Sequence, residues 1–254
     1  MERVRELLDD YGISLVREEA AIYIASEDAV AISDIHFGFE SAMTSLGVVL
    51  PKRQLKRALE VLVRLRTLTG ASKLIVCGDL KHVFEKLIKQ EREEVSTFIQ
   101  RAFELGFKEV IVVRGNHDNY VSSLVKKLGA TWIENYIELG KGIVITHGHE
   151  VYDVKGEAIV MGHEHPVLEM SIGGFKERLQ AFLIIPRASS GFFIVLPAIG
   201  EYQSGNVVTL DRSRYLSPWI QKEALINEAI PVVSDKDIGT IALPKLEFLL
   251  TKEL

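Results

Sequence analysis

All seven histidines of this 254-residue chain fall inside five short motifs, and most of those motifs close an apolar run. The motifs read Asp34-Ile35-His36, Gly78-Asp79-Leu80-Lys81-His82, Gly115-Asn116-His117-Asp118, His147-Gly148-His149 and Gly162-His163-Glu164-His165. A residue used only for packing would scatter along the chain. Imidazoles gathered beside Asp, Asn and Gly supply the neutral nitrogens and anionic oxygens that hard-to-borderline divalent ions take as ligands. The chain must therefore fold so that five separated segments meet at one place.

The runs that lead into the motifs are short and rich in β-branched residues. Residues 29–33 lead into Asp34, 73–77 into Gly78-Asp79, 110–113 into Gly115-Asn116, 142–146 into His147 and 158–161 into Gly162-His163. Such runs, bounded by Gly and polar residues, predict buried strands. Five strands that each end in polar residues place a site along one rim of a sheet. Amphipathic stretches at 51–69, 90–105 and 121–128 predict helices between them, so the fold class is α/β. Residues 14–31 predict a hairpin turning near Glu27-Asp28. Residues 179–185 and 192–196 read as strands with no helix between them, as if a second sheet completes a sandwich.

Residues 1–204 are expected to form the core and 205–254 a C-terminal extension. In the extension, Ser217-Pro218 predicts an N-cap with proline in the first helical position, opening a helix to about Ala229. Residues 230–233 and 238–243 flank Asp235-Lys236-Asp237 as a hairpin. A unit this short cannot bury a core of its own, so it is expected to pack on the sandwich or on the second subunit of a homodimer.

Composition bounds the partners. A formal net charge of −5 gives no general attraction to nucleic acid or anionic membrane. No apolar run approaches a membrane span, and the charged start of the chain shows no signal peptide. The one cysteine, Cys77, allows no internal disulfide and fits a cytoplasmic protein.

The motif residues suggest roles. Two divalent ions can clamp the attacking and leaving oxygens of a phosphoryl displacement, and a carboxylate can bridge them. Asp79 is the bridging candidate. Asp34 and His36, two residues apart, both reach forward where the chain leaves its strand. His163 and His165 have the same spacing and can each serve one ion. Asn116 offers a neutral oxygen where an anionic phosphate must bind, and His147 is a further ligand candidate. No cysteine has a ligand spacing, so a structural zinc site is excluded. His117 is the candidate general acid, with Asp118 beside it to fix its tautomer. The expected nucleophile is a metal-bound hydroxide.

The ordered set Asp-x-His, Gly-Asp-x-x-His, Gly-Asn-His-Asp, His-Gly-His and Gly-His-x-His resembles the calcineurin-like metallophosphoesterases, over roughly residues 29–200. The resemblance implies a four-layer α/β/β/α sandwich of two mixed sheets flanked by helices. It implies that Asp34, His36, Asp79 and His165 hold one ion, that Asp79, Asn116, His147 and His163 hold the other, and that His117 is the acid at the phosphate. Residues 33–38 and 78–82, with Leu196-Pro197-Ala198, are similar to an archaeal branch related to the SbcD nuclease. The implied activity is phosphodiester hydrolysis on nucleotides or nucleic acid, with two Mn²⁺ favoured and Fe, Ni or Zn as alternatives. A small-metabolite phosphatase and a non-catalytic metal-binding scaffold are the competing readings.

Other residues carry blander expectations. His82 is either substrate-facing or a supporting hydrogen-bond partner, and His149 is expected to support the ligands. Cys77 is expected to be a small buried hydrophobe. Glu164 is expected to point outward. The basic run Lys52, Arg53, Lys56, Arg57, Arg64 and Arg66 reads as a solvated helix face. Lys81, Lys86 and Lys89 are better candidates for phosphate steering, and Arg114 is a further nearby cation. Phe37, Phe39 and Phe84 read as core in preference to a base-stacking rim.

Overall fold

The computed structural model describes residues 2–172, 175–236 and 238–250. Asp237, in the expected C-terminal turn, and residues 251–254 of the expected extension lie outside the described residues. The first sheet has the order β1 (Ile13–Leu15), β2 (Ile22–Ile24), β3 (Ala29–Ile32), β4 (Lys73–Cys77), β5 (Glu109–Val113) and β6 (Thr131–Ile133). β1, β2 and β3 pair antiparallel, and β3 to β6 run parallel. The turn between β2 and β3 falls at residues 25–28, where the hairpin was expected.

The second sheet contains β7 (Tyr136–Leu139), β8 (Ile143–Thr146), β9 (Ala158–Met161), β10 (Pro166–Ile172), β11 (Phe175–Pro186), β12 (Phe192–Val195) and β13 (Asn206–Val207). β8, β9 and β12 are its parallel centre. β14 (Ile230–Asp235) pairs with β11, and β15 (Gly239–Ala242) pairs with β14, each antiparallel.

Alternation along the strands builds the layers, because successive side chains leave opposite faces of a sheet. Ala29, Ala31, Ile75, Cys77, Ile111 and Val113 face Ile143, Ile145, Ala158, Val160, Ile194 and Leu196 between the two sheets. Val30, Ile32, Leu74, Val76, Val110 and Val112 face the other way. They bury the apolar sides of α3 (Gln54–Thr69), α4 (Lys89–Glu104) and α5 (Ser122–Lys127). The outer face of the second sheet, with Val144, Ile159, Met161, Leu183, Ile185, Phe193 and Val195, packs on α6 (Pro218–Glu223) and α7 (Leu246–Leu250). The result is the four-layer α/β/β/α sandwich of two mixed sheets. α1 (Glu2–Asp10) closes on the inter-sheet core through Val4 and Leu8, and α2 (Phe39–Ser45) follows the first motif.

The C-terminal segment supplies the fourth layer. Trp219, 1% exposed, meets Phe193 with ring centroids 5.9 Å apart. The Ser217 hydroxyl accepts from the amides of Trp219 and Ile220, and proline takes the first helical turn, as the sequence predicts. The helix stops at Glu223, short of Ala229. An isolated bridge of Ala224 to Arg187, and donation from the Leu225 amide to the Pro186 carbonyl, draw the chain back to the sheet. α3 likewise starts at Gln54 rather than Pro51, where the buried Glu40 carboxylate accepts the amides of Arg53 and Gln54, each at 2.9 Å. Among the described residues no helix is long and apolar enough to cross a membrane.

Candidate metal centre

The five motifs meet at the rim where β3, β4, β5, β8 and β9 end. Two donor clusters form there. Asp34, His36 and His165 make one, and Asp79, His147 and His163 the other, with the donor atoms of each within 4.8 Å of one another. A third group of the same tightness joins His36 to His82 and His117. Asn116 Oδ1 lies 3.1 Å from His147 Nε2, which places it at the second cluster. The seven expected ligand residues are thus brought together, with Asp79 grouped with His147 and His163 and its Oδ2 3.7 Å from His36 Nε2.

The local backbone is costly. Nine non-glycine residues among those described have positive φ, and five of them are Asp34 (58°), His36 (54°), Asp79 (51°), His163 (68°) and His165 (44°). A left-handed L-residue costs roughly 1–2 kcal/mol, and strain of this kind persists only where surrounding contacts over-determine it. The residue between each alternating pair goes elsewhere. Ile35 enters the helix-side core. Glu164 is 1% exposed and accepts the amides of Leu216 and Ser217. Glu164 therefore points inward, not outward as expected, because the C-terminal segment covers it.

Gly162 and Gly78 are among the glycines that close approach requires. A Cβ on Gly162 would collide with Ser33 Oγ and Asp34 Oδ2, and one on Gly78 would collide with the His147 ring. Gly78 also has φ +88°, a conformation that glycine adopts at no steric cost.

The electrostatics describe a cation site. Asp34 and Asp79 are buried, and their ion-pair partners among the described residues are all imidazoles. His165 Nε2 is 3.0 Å from Asp34 Oδ1, and His147 Nε2 is 3.4 Å from Asp79 Oδ2. Burial raises both carboxyl pKa values, but the His165 charge at Asp34 and the His147 charge at Asp79 outweigh it and hold them below the usual range. Burial also resists a charge on His147, yet Asp79 and Asp34 overcome it and lift that pKa to about 10. At His36 and His163 burial wins, and each falls to about 3. Protein groups alone can balance the buried carboxylates only by protonating imidazoles. Divalent ions fit this donor set, with His36 and His163 already neutral and His147 positioned by Nδ1 donating to the Cys77 carbonyl at 2.9 Å.

His117 stands at the edge of the centre. Its amide donates to Asp79 Oδ1 at 3.0 Å, and its Nδ1 hydrogen-bonds the His82 carbonyl. A carbonyl can only accept, so Nδ1 carries the proton and Nε2 is left for other partners. Asp118 does not perform the expected task. Its carboxylate accepts the amides of Gly115 at 2.8 Å and Lys81 at 3.1 Å, because the turn at 115–118 folds it back onto the backbone. Burial, with Asp79 nearby, raises its pKa to about 6. Asp118 braces the loop, and the His82 carbonyl orients His117.

The remaining expectations divide. The His82 ring stacks on His117 with centroids 5.4 Å apart, and its Nδ1 is 3.4 Å from His36 Nδ1. His149 sits beside His147 and His163, and its buried Nδ1 has no hydrogen-bond partner among the described residues. Cys77 is buried, and burial pushes its thiol pKa up. Lys81 is not available to steer phosphate, because it is fully buried with its ammonium on the Val83 carbonyl. Arg114 is held by Asn119 at 3.2 Å and Glu134 at 4.0 Å. On the basic helix, Arg64 pairs with the buried Glu19, and Arg66 donates to the carbonyls of Leu105, Gly70 and Ala71. The sequence reading missed Ser33, whose hydroxyl donates to the Cys77 carbonyl at 3.0 Å, and Ser217, whose hydroxyl donates to the Gly148 carbonyl at 2.6 Å. Ser217 had carried only a helix-capping signal.

The calcineurin-like phosphoesterase family model matches residues 29–160, more than half of the chain, and the chain belongs to that family. In fold it is similar to the Pseudomonas putida nuclease MPE, with a TM-score of 0.62 and 20% identity over 88% of this chain and 92% of that one. It is also similar, at a TM-score of 0.43 and 20% identity, to the E. coli phosphoesterase YfcE, over 85% of this chain and 98% of that one. No curated protein matches the chain significantly by sequence.

Proposed function

We propose that the protein is a binuclear-metal-dependent phosphodiesterase acting on nucleotides or nucleic acid, with His117 as its general acid. The observation that carries this reading is the pair of donor clusters beside a histidine whose Nδ1 is committed to a carbonyl. Asp34, His36 and His165 would hold one ion, Asn116, His147 and His163 the other, and Asp79 would lie between them. Bound ions would polarise the phosphate and make a coordinated water more acidic. Mn²⁺ is the metal proposed, and Fe, Ni or Zn would suit the same imidazole and carboxylate donors.

The protein's own groups then divide the work. Asn116 contributes an oxygen without adding charge where the anionic substrate sits. His117, held through Nδ1 and protonated at Nε2, gives that proton to the leaving oxygen. A diester is favoured over a monoester because the second charge of a monoester needs a further cation at the phosphate. Lys81 and Arg114, the cations that the motif segments offer, are both engaged elsewhere. The similarity of residues 33–38 and 78–82 to the SbcD-related branch, and a nuclease with the same fold, agree with a phosphodiester substrate.

The test is kcat/KM on a matched aryl diester and aryl monoester with excess manganese, together with metal content. The expected result is about two ions per chain and a diester preference. A tenfold monoester preference would move the reading to a metabolite phosphatase. Absence of metal binding would end it.

A further inference from the structure

Aromatic rings continue outward from the metal centre in two branches, Phe39 and Tyr202 beyond His82 and Phe84 beyond His117. His36 meets His82 and His117 edge-on, at centroid distances of 5.4 and 5.1 Å. His82 and His117 stack with their planes 19° apart. Phe84 then meets His117 at 6.0 Å, with the planes at 85°. The three phenylalanines near the motifs have different surroundings. Phe37 is fully buried and packs on Phe98. Phe39 stacks on Tyr202, with centroids 5.5 Å apart and planes 13° apart. Phe84 is 49% exposed, and His117 is its one ring neighbour among the described residues.

The turn that carries Phe84 is braced. The Glu91 carboxylate, buried, accepts the amides of His82 at 3.1 Å and Val83 at 2.6 Å. Asn119 Nδ2 donates to the Phe84 carbonyl at 3.2 Å. A large apolar ring is thus held in solvent on a fixed backbone, next to the proposed proton donor. Packing does not require it there, since half of its surface touches nothing.

We infer that Phe84 is the aromatic wall of the leaving-group subsite and stacks the nucleobase of the departing nucleoside. This rests on the phosphodiesterase reading above. His117 protonates the leaving oxygen, so the group attached to that oxygen lies on the His117 side of the phosphate. Phe84 is the next ring outward on that side. Stacking uses the π-face common to every base, so the subsite accepts any base and discriminates against its absence. Stacking of this kind also needs no cation.

The test uses a thymidine dinucleotide and its two abasic forms, one lacking the base of the leaving nucleoside and one lacking the other base. For the wild-type protein, removing the leaving-side base should lower kcat/KM about tenfold, the scale of one base–aromatic stack. Removing the other base should cost much less. In Phe84→Ala the ratio of intact to leaving-side abasic substrate should collapse toward one, and Phe84→Trp should restore it. Metal content and melting temperature of each variant report intact folding. Indifference of the wild-type protein to the leaving-side base would overturn the assignment. So would a Phe84→Ala loss equal on all three substrates, which would make the ring a mere support for His117. If the wild-type protein cleaves no dinucleotide, the diesterase reading fails separately. The ring is then tested by the same ratio on thymidine monophosphate against glycerol phosphate.

Discussion

The two sheets bring unequal chemistry to one centre. Loops of the first carry both donor carboxylates, Asp34 and Asp79, along with Asn116, His36 and His117. Loops of the second carry only imidazoles, His147, His163 and His165. The carboxylate half is not stable in charge by itself. Buried carboxylates without a cation face a large desolvation cost, and the imidazoles of the opposite sheet are what offset it. The loops are also braced differently. Those of the first sheet are held by groups of its own side of the sandwich, by Asp118 on Gly115 and Lys81, by Glu91 on His82 and Val83, and by Glu94 on Gly38. Those of the second are held by the C-terminal segment, through Glu164 on Leu216 and Ser217 and through Ser217 on Gly148. The named braces of the carboxylate half come from its own loops and from α4, whereas those of the imidazole half come from the C-terminal segment.

The sharpest way to break this contrast is Asp79→Asn, which keeps the shape and removes the charge. Because Asp79 faces both His147 and His36, occupancy should fall for both ions. Activity should drop by more than the roughly 10–100-fold typical of a supporting partner. Metal titration showing two ions at unchanged affinity would mean that the carboxylate does not bind the charge.

His117→Ala comes next, with kcat lowered about 10²–10⁴-fold and metal retained. The loss should shrink for a leaving group that needs no proton, such as nitrophenolate. Loss of metal with normal turnover at saturating metal would place His117 among the ligands instead.

Glu164→Gln and Ser217→Ala probe the distant brace. Each should weaken metal binding about 10–100-fold, the scale of a partner behind the ligands, and excess metal should largely restore kcat. A loss of kcat that metal cannot restore would contradict a bracing role.

The smallest effect is expected at the basic face of α3. Breaking the exposed Lys56–Glu60 pair, 4.0 Å apart, by Lys56→Gln should change stability by less than about 1 kcal/mol. Activity on small diesters should not change. A large loss would bring that face into the substrate path.

The residues of the two donor clusters were readable in the sequence because their signal is local. Each ligand follows an apolar run, and each motif names its donors within five residues. The sandwich was readable for the same reason, through the alternation of Ala29, Val30, Ala31 and Ile32 and its counterparts. What escaped depends on contacts far along the chain. Glu164 reads as a charged residue between two ligands, and only the arrival of Ser217, 53 positions later, buries it. Asp118 reads as a partner of His117 because it is adjacent, and the backbone turn sends it elsewhere. Phe84 cannot be told from Phe37 by composition, because the distinction is whether a ring faces α4 or water. α1 went unseen because only Val4 and Leu8 of its nine residues are buried, too few to announce a period.

The brace at Ser217 has a consequence for biosynthesis. Chains are made from the N-terminus, and their segments fold as they emerge. Asp34 and Asp79 leave the ribosome early and the ligand imidazoles of the second sheet much later. The residue that steadies those imidazole loops comes later still. A nascent or truncated chain therefore displays Asp34 and Asp79 before the Ser217 and Glu164 braces of the imidazole loops can form.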